Sequence, residues 1–408
     1  MTPEELVAAY GSPLYVYDLD RLRAARRDLR ATLPEEFDIF YSLKANPHPE
    51  IVRALRTGEG GCRAEVCSLG ELAAALEAGH PADRILYGGP GKTTAELAWA
   101  CAQGVREYSV ESLGDLRRVG EVAGAHGVTV DCLLRINSDS SAATTSIRMT
   151  GTPSQFGIDA ETLPELMPQL RAVPHTRIVG LHFYPLSNAR DEESLIAEFR
   201  QSIATAARIE ADHDLPVRFL DIGGGFAAPY TVPGDRPVYP KVRAELTDAL
   251  DLHFPQWRTG TPQLAVESGR YLAGDCGELF TTVTNIKTSR GRTFLVLDAG
   301  INTLGGMAGL GRLLPLSVSV QRTGTDATGK ATLTGPLCTP GDLLGRDVTV
   351  PADLVPGDIV RVPNIGGYGL SASLVTFLSR PAPVEVFVSG GEVVAATRLE
   401  TSRVPVRA

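Results

Sequence analysis

Between Phe37 and Val266 the chain alternates short apolar β-like runs with amphipathic helical ones, eight times over. The strand candidates are residues 37–41, 63–66, 84–87, 107–110, 128–135, 177–182, 218–222 and 263–266. Helical patterns fill the gaps at 49–56, 69–78, 93–103, 113–125, 163–171, 192–211 and 241–252. Their apolar residues recur at three- and four-residue steps, as at Leu69, Leu72 and Leu76. Eight repeats exceed what a doubly wound sheet usually holds, so the pattern predicts a (β/α)8 TIM barrel.

After Arg270 the helical periodicity fades. Residues 281–287, 292–298, 358–362, 384–389 and 392–398 read as strands separated by Gly and Pro turns. Residues 13–17 have the same texture. The expected organisation is therefore an N-terminal segment (1–30) lending a strand, a barrel (31–270) and a C-terminal all-β domain (271–408). Residues 138–152, rich in Ser and Thr, read as a surface loop.

Several function classes fall away. The net charge is −9 and no basic stripe appears, which argues against a nucleic-acid partner. No apolar run approaches a membrane span, and the acidic start Met1-Thr2-Pro3-Glu4-Glu5 lacks the apolar core of a signal peptide. The six cysteines form no C-x-x-C pair and have no histidine at metal-ligand spacing. The expectation is a cytoplasmic enzyme with reduced thiols and no metal.

In a barrel, chemistry lies where strands end. Lys44 follows the first strand, in Tyr41-Ser42-Leu43-Lys44-Ala45-Asn46. Burial should lower its pKa, and a neutral amine can attack a carbonyl to form a Schiff base. Glu65 lies in the second strand, Arg135 ends the fifth and His182 the sixth. Asp221-Ile222-Gly223-Gly224-Gly225 ends the seventh; Glu267 follows the eighth, with Gly269 and Arg270 behind it. The glycine loop exposes backbone N–H groups and is backed by Arg270, as a phosphate cradle requires. A carboxylate at Glu267 can pair a protonated ring nitrogen, and His182 can stack on a flat ring. Lysine, cradle and carboxylate together meet the needs of pyridoxal 5'-phosphate.

The chain resembles the fold-type III pyridoxal-phosphate decarboxylases, which include diaminopimelate and ornithine decarboxylases. The resemblance covers nearly the whole chain. It rests on the motifs around Lys44 and Glu65 to Glu71, Gln155-Phe156-Gly157-Ile158-Asp159, the glycine loop and Glu267-Ser268-Gly269-Arg270. Gly335-Pro336-Leu337-Cys338, Asp342 and Gly366-Gly367-Tyr368 complete it. It implies a cofactor carried on Lys44, with Glu65 beside the lysine, a ring stacked on His182 and a ring nitrogen paired with Glu267. The phosphate would be held by Ser187, Gly223, Gly224, Gly225, Arg270 and Tyr368. Arg135, Thr339 and Asp342 would face substrate. Cys338 would act across a homodimer interface, in shared active sites, to protonate the carbon left when CO2 departs.

Three departures shape the reading. The usual His-x-Gly-Ser-Gln is here the longer His182-Phe183-Tyr184-Pro185-Leu186-Ser187-Asn188, and Ser268 stands where the family has proline. Thr339 stands where decarboxylases of basic amino acids carry the carboxylate that binds a distal amine. A buried, unpaired ammonium costs several kcal/mol. The leading expectation is therefore an acidic amino acid, glutamyl, aspartyl or methylaspartyl, tethered to an acyl-carrier protein in a natural-product pathway. Met149-Thr150-Gly151-Thr152-Pro153 and Cys338-Thr339-Pro340 are similar to that branch. The alternatives are a free amino acid such as diaminopimelate, a fold-type III racemase, and a non-catalytic regulator.

Overall fold

The computed structural model describes residues 1–138, 153–189, 191–305, 318–322 and 328–406. The chain forms two compact units. One comprises Ala24–Ala227 and Pro237–Leu272; the other comprises Met1–Arg23, Ala228–Arg236 and Ala273–Ala408. Most of the loop at 138–152, with the Met149 to Thr152 motif, lies outside the described residues.

The first strand, β1 (Leu14–Asp18), belongs to the second unit. The first unit holds β2 (Phe37–Ser42), β3 (Arg63–Val66), β4 (Ile85–Tyr87), β5 (Glu107–Val110) and β6 (Val130–Asn137). It continues with β7 (Ile158–Asp159), β8 (Thr176–His182), β9 (Phe219–Asp221) and β10 (Gln263–Ser268). Pairing runs β5-β4-β3-β2-β10-β9-β8-β6, all parallel, and β5 pairs with β6 to close the ring. This is the predicted eight-stranded barrel; β7 is a two-residue addition to β6. The strands are buried on both faces, as parallel strands flanked by helices must be.

Side chains alternate across a strand, so every second residue faces the barrel interior. Phe40, Leu86, Leu133, Val179, Phe219 and Ala265 form one core cluster there. The Arg63 guanidinium stacks 4.6 Å over Phe40 and 5.7 Å over Phe219. It also pairs with Asp38 and Glu107, so this buried charge is compensated.

The second unit is a sheet of eight strands. After β1 come β11 (Gly277–Ser289), β12 (Arg292–Leu297), β13 (Thr328–Thr334), β14 (Leu343–Pro351), β15 (Ile359–Val362), β16 (Val384–Ser389) and β17 (Glu392–Arg398). Their order is β14-β13-β12-β11-β1-β16-β17, with β15 on β11. β1 sits between β11 and β16, and its Leu14 and Val16 pack with Leu6, Phe280, Val384 and Val386. The N-terminal strand is thus central to this sheet. Periodicity did not signal β13, β14 or the helix Leu19–Thr32. In that helix Arg and Asp fill half the positions, and the buried face of Leu19, Leu22, Ala25 and Leu29 also takes in Arg26.

Candidate active site

Strand alternation builds the mouth of the barrel. Ala265, Phe219 and Leu133 lie in the interior cluster, so two residues on, Glu267, Asp221 and Arg135 point into the same lumen at the C-terminal end. From Arg63 the same step reaches Glu65, and from Glu107 it reaches Ser109 and then Glu111.

Lys44 sits in a single 3-10 turn directly after β2. The Tyr41 hydroxyl braces that turn by donating to the Asn46 carbonyl at 2.8 Å. Gly269 packs against it: a Cβ there would lie 2.8 Å from the Ala45 Cβ. Lys44 Nζ lies 3.5 Å from Glu65 Oε2 and 5.0 Å from the centre of the Tyr184 ring. The other Glu65 oxygen accepts from the Cys67 thiol at 2.9 Å. Glu71, in turn, accepts from the Cys67 backbone N–H at 2.7 Å, and burial pushes its carboxyl up to about 7.

The expected depression of the Lys44 pKa does not occur. Burial does pull it down, but Glu65, Tyr184 and Glu267 outweigh burial and hold it well above the ordinary lysine value.

His182 Nε2 lies 3.2 Å from Glu267 Oε1, and its Nδ1 lies 2.7 Å from Ser109 Oγ. Burial pulls His182 down, but the Glu267 carboxylate raises it above its usual value. Burial would likewise raise Glu267, but His182, Lys44 and Arg135 bring it down to about 2. Asp221 moves the opposite way, to about 7, through burial and the nearby Glu267 charge. One of its oxygens accepts the Gly223 N–H at 2.8 Å. The two neighbouring carboxylates thus part, Glu267 moved down and Asp221 up, because like charges in a dry site disfavour ionising together. His182, Asp221 and Glu267 place ligand atoms within 4.8 Å of one another, a spacing that could also hold a metal ion.

The glycine loop is tight. A Cβ on Gly223 would meet the Phe183 carbonyl oxygen at 2.2 Å, and one on Gly224 the Glu267 carbonyl oxygen at 2.5 Å. Gly223 and Gly225 have φ of 75° and 114°, which favour glycine. Ala189 donates its N–H to the Gly225 carbonyl at 2.8 Å, and Leu186 lies against Gly225. The lengthened loop after His182 is therefore folded onto the cradle, with half-buried Ser187 in it.

Arg135 donates to Glu111 Oε1 at 3.0 Å and stacks 4.7 Å over Phe156, while Glu111 Oε2 accepts the Gly157 N–H at 2.7 Å. The Gln155 to Asp159 motif is thus the clamp for Arg135.

Ser109, Glu111, Cys67 and Tyr184 join the site without a motif to single them out, although Ser109 and Glu111 follow from strand alternation at the end of the fourth barrel strand. Tyr184 and Cys67 sit in loops, where spacing gives no direction.

In the sheet unit, Cys338 is exposed on a turn. Buried Asp342 accepts N–H groups from Ile301 at 2.8 Å and Leu337 at 2.7 Å. One oxygen thus holds the turn that carries Cys338 and the other ties it to Ile301. Thr339 Oγ1 accepts the Gly341 N–H at 3.3 Å. Tyr368 has φ of 56°, rare for an aromatic residue, and its carbonyl accepts from the Tyr230 hydroxyl at 2.8 Å.

The barrel mouth fits a phosphorylated pyridine aldehyde. Its neighbours hold the Glu267 carboxyl low, and neither its Oε1 nor His182 Nε2 has an aligned hydrogen bond although they are close. A loop that admits no Cβ lies beside them, and a lysine stands at the rim. The fold and this site define a pyridoxal-phosphate enzyme on a parallel barrel.

Residues 19–274 match the family described as pyridoxal-dependent decarboxylase, pyridoxal binding domain. The chain is 34% identical to L-glutamyl-[BtrI acyl-carrier protein] decarboxylase of Niallia circulans, over 95% of this chain and 91% of that one. It is 33% identical to diaminopimelate decarboxylase of Methanothermobacter thermautotrophicus, over 97% and 91%. The crystal structure of diaminopimelate decarboxylase from Helicobacter pylori complexed with L-lysine superposes with a TM-score of 0.81 at 26% identity, covering 96% of this chain and 95% of that one. The chain belongs to the pyridoxal-dependent decarboxylases, and its cofactor is pyridoxal 5'-phosphate. Among the described residues, no helix is long and apolar enough to cross a membrane.

Proposed function

We propose that this enzyme removes the α-carboxylate of an acidic amino acid whose side-chain carboxyl is held as a thioester on an acyl-carrier protein. The observation that carries the reading is Thr339, a neutral hydroxyl on the Cys338 turn where relatives that act on diamines have a carboxylate. A hydroxyl offers one hydrogen bond and cannot neutralise an ammonium. The 34% identity to a glutamyl-carrier-protein decarboxylase supports the same substrate class.

When bound, pyridoxal phosphate supplies the electron sink that lets the α-carbon release CO2. In this reading Lys44 would anchor it covalently, Glu267 would pair with its ring nitrogen, and His182, held by Ser109, would stack on the ring. Gly223, Gly224, Gly225, Ser187, Gly269, Arg270 and Tyr368 contribute to the phosphate site. Glu65, oriented by the Cys67 thiol, keeps the Lys44 amine in place and exchanges protons with it. Arg135, fixed by Glu111, faces substrate, as does Thr339. Asp342 positions the turn that carries Cys338. Cys338 would hold the thiol proton that the α-carbon takes up in place of CO2, and solvent would restore it. Cys338 does this in a homodimer, each site completed by the partner subunit.

The test is direct. Holoenzyme is incubated with glutamyl- and aspartyl-loaded carrier protein and, separately, with free diaminopimelate, lysine and glutamate; CO2 loss is followed by intact mass and amine analysis. Turnover of the carrier-bound substrates should exceed that of the free diamines by at least about a hundredfold in kcat/KM. Comparable turnover of free diaminopimelate would overturn the substrate assignment while leaving the decarboxylase intact.

A further inference from the structure

The barrel has a second concavity, at the end opposite the active site. It is a cavity of about 880 Å³ lined by Arg26, Arg27, Arg30, Arg84 and Arg243, with Glu35, Asp38 and Glu59. Phe37 and Asp38 begin β2, Gly60 and Gly61 precede β3, and Arg84 immediately precedes β4, so this is the N-terminal face. Lys44 follows the other end of β2, and Glu267 lies near the C-terminal end of the neighbouring β10.

Five guanidinium groups converge here in a protein whose net charge is −9. Their partners are the unusual feature. Arg26 donates to the Leu55 carbonyl at 2.7 Å and to the Thr57 carbonyl at 2.5 Å. Arg30 donates to the Phe37 carbonyl, and Arg243 to the Ala31 carbonyl at 2.8 Å. Main-chain carbonyls fix these three groups in place without cancelling their charge. Among the described residues, no ion pair joins Arg26, Arg27, Arg30 or Arg243 to a carboxylate. Asp38 is engaged by Arg63, Arg84 and Gln263.

Arg26 and Arg30 stand one helical turn apart on Leu19–Thr32, a spacing at which like charges repel. Arg30 Nε is buried and has no hydrogen-bond partner. Burial, with added repulsion from Arg243 and Arg26, draws the Arg30 pKa down. Three carboxylates share the lining with five arginines, Arg27 and Arg243 are exposed, and the cavity's volume lies in the range of small-molecule sites.

We propose that this N-terminal cavity is a binding site for a small organic anion bearing phosphate groups, separate from the cofactor site. Planar guanidinium forks match phosphate oxygens two at a time, which a cluster of lysines would not do. The volume exceeds that needed for one inorganic phosphate, so a diphosphate or a phosphorylated metabolite is the fitting class.

The experiment uses holoenzyme saturated with pyridoxal phosphate, so that the glycine cradle is filled. Inorganic pyrophosphate is titrated by calorimetry at low salt, with sodium chloride of matched ionic strength as control. One site per chain is expected. Arg243→Gln and Arg27→Gln, both exposed side chains whose loss leaves the core untouched, should each weaken binding about tenfold. The double variant should bind no better than the chloride control. Absence of binding up to low millimolar pyrophosphate in the parent enzyme would overturn the proposal. So would unchanged affinity in the double variant, which would place the anion elsewhere.

Discussion

The barrel mouth and the sheet unit use buried carboxylates in opposite ways. At the mouth they face other ionisable groups: Glu267 lies 3.2 Å from His182, and Glu65 lies 3.5 Å from Lys44. In the sheet, Asp342 accepts two main-chain N–H groups, and Glu385 meets the Tyr17 hydroxyl at 3.1 Å. Glu267 is drawn down to about 2 because its neighbours include cations, whereas Glu385, whose hydrogen bond comes from a neutral hydroxyl, is left to burial and pushed up to about 7.

The largest effect should come from Lys44. Lys44→Ala should lower kcat by more than about a thousandfold, since anchor and proton carrier vanish together. Borohydride should fix the cofactor on the Lys44 peptide of the parent enzyme. Label on any other lysine would break the contrast between the two units.

Next comes the division of labour between them. Chains with Lys44→Ala and chains with Cys338→Ala should each be inactive. Mixed under subunit exchange they should recover about a quarter of parental activity, because half the dimers hold one intact site. No recovery would mean that Cys338 does not serve a partner's site.

Asp342 offers a sharper probe. Asp342→Asn keeps only one acceptor oxygen for two N–H donors and should cost about 1–3 kcal/mol of turn stability. We expect kcat to fall several-fold while the cofactor absorbance and its affinity stay those of the parent. A changed absorbance would mean that Asp342 acts on the cofactor and not only on the turn.

The smallest effect concerns pH. Burial pushes Glu385 up to about 7, against 4.5 for an ordinary glutamate, despite its hydrogen bond from Tyr17. The folded state therefore holds more protons than the unfolded one between these values, and this group lowers stability as pH rises from about 4.5 to 7. Glu385→Gln should raise Tm by a few degrees at pH 8 and change it little at pH 4, by calorimetry. Equal shifts at both pH values would refute the linkage.

Much of this protein is legible in one dimension. Strand and helix periodicities defined the barrel, because each element must bury a face of fixed period. Reading the ends of six of its eight strands found Lys44, Glu65, Arg135, His182, the glycine loop and Glu267, since alternation fixes which side chains look into the lumen. The segments β13 and β14 escaped because Thr, Gly and Lys in Thr328–Thr334, and Arg and Asp in Leu343–Pro351, blur the alternation. The tertiary structure alone decided the sign of the Lys44 shift, the parting of Glu267 from Asp221, and the gathering of Arg26, Arg30 and Arg243 around one cavity. These depend on distances of a few ångströms between residues far apart in the chain, and a charge's energy follows distance and burial, which no spacing along the sequence records.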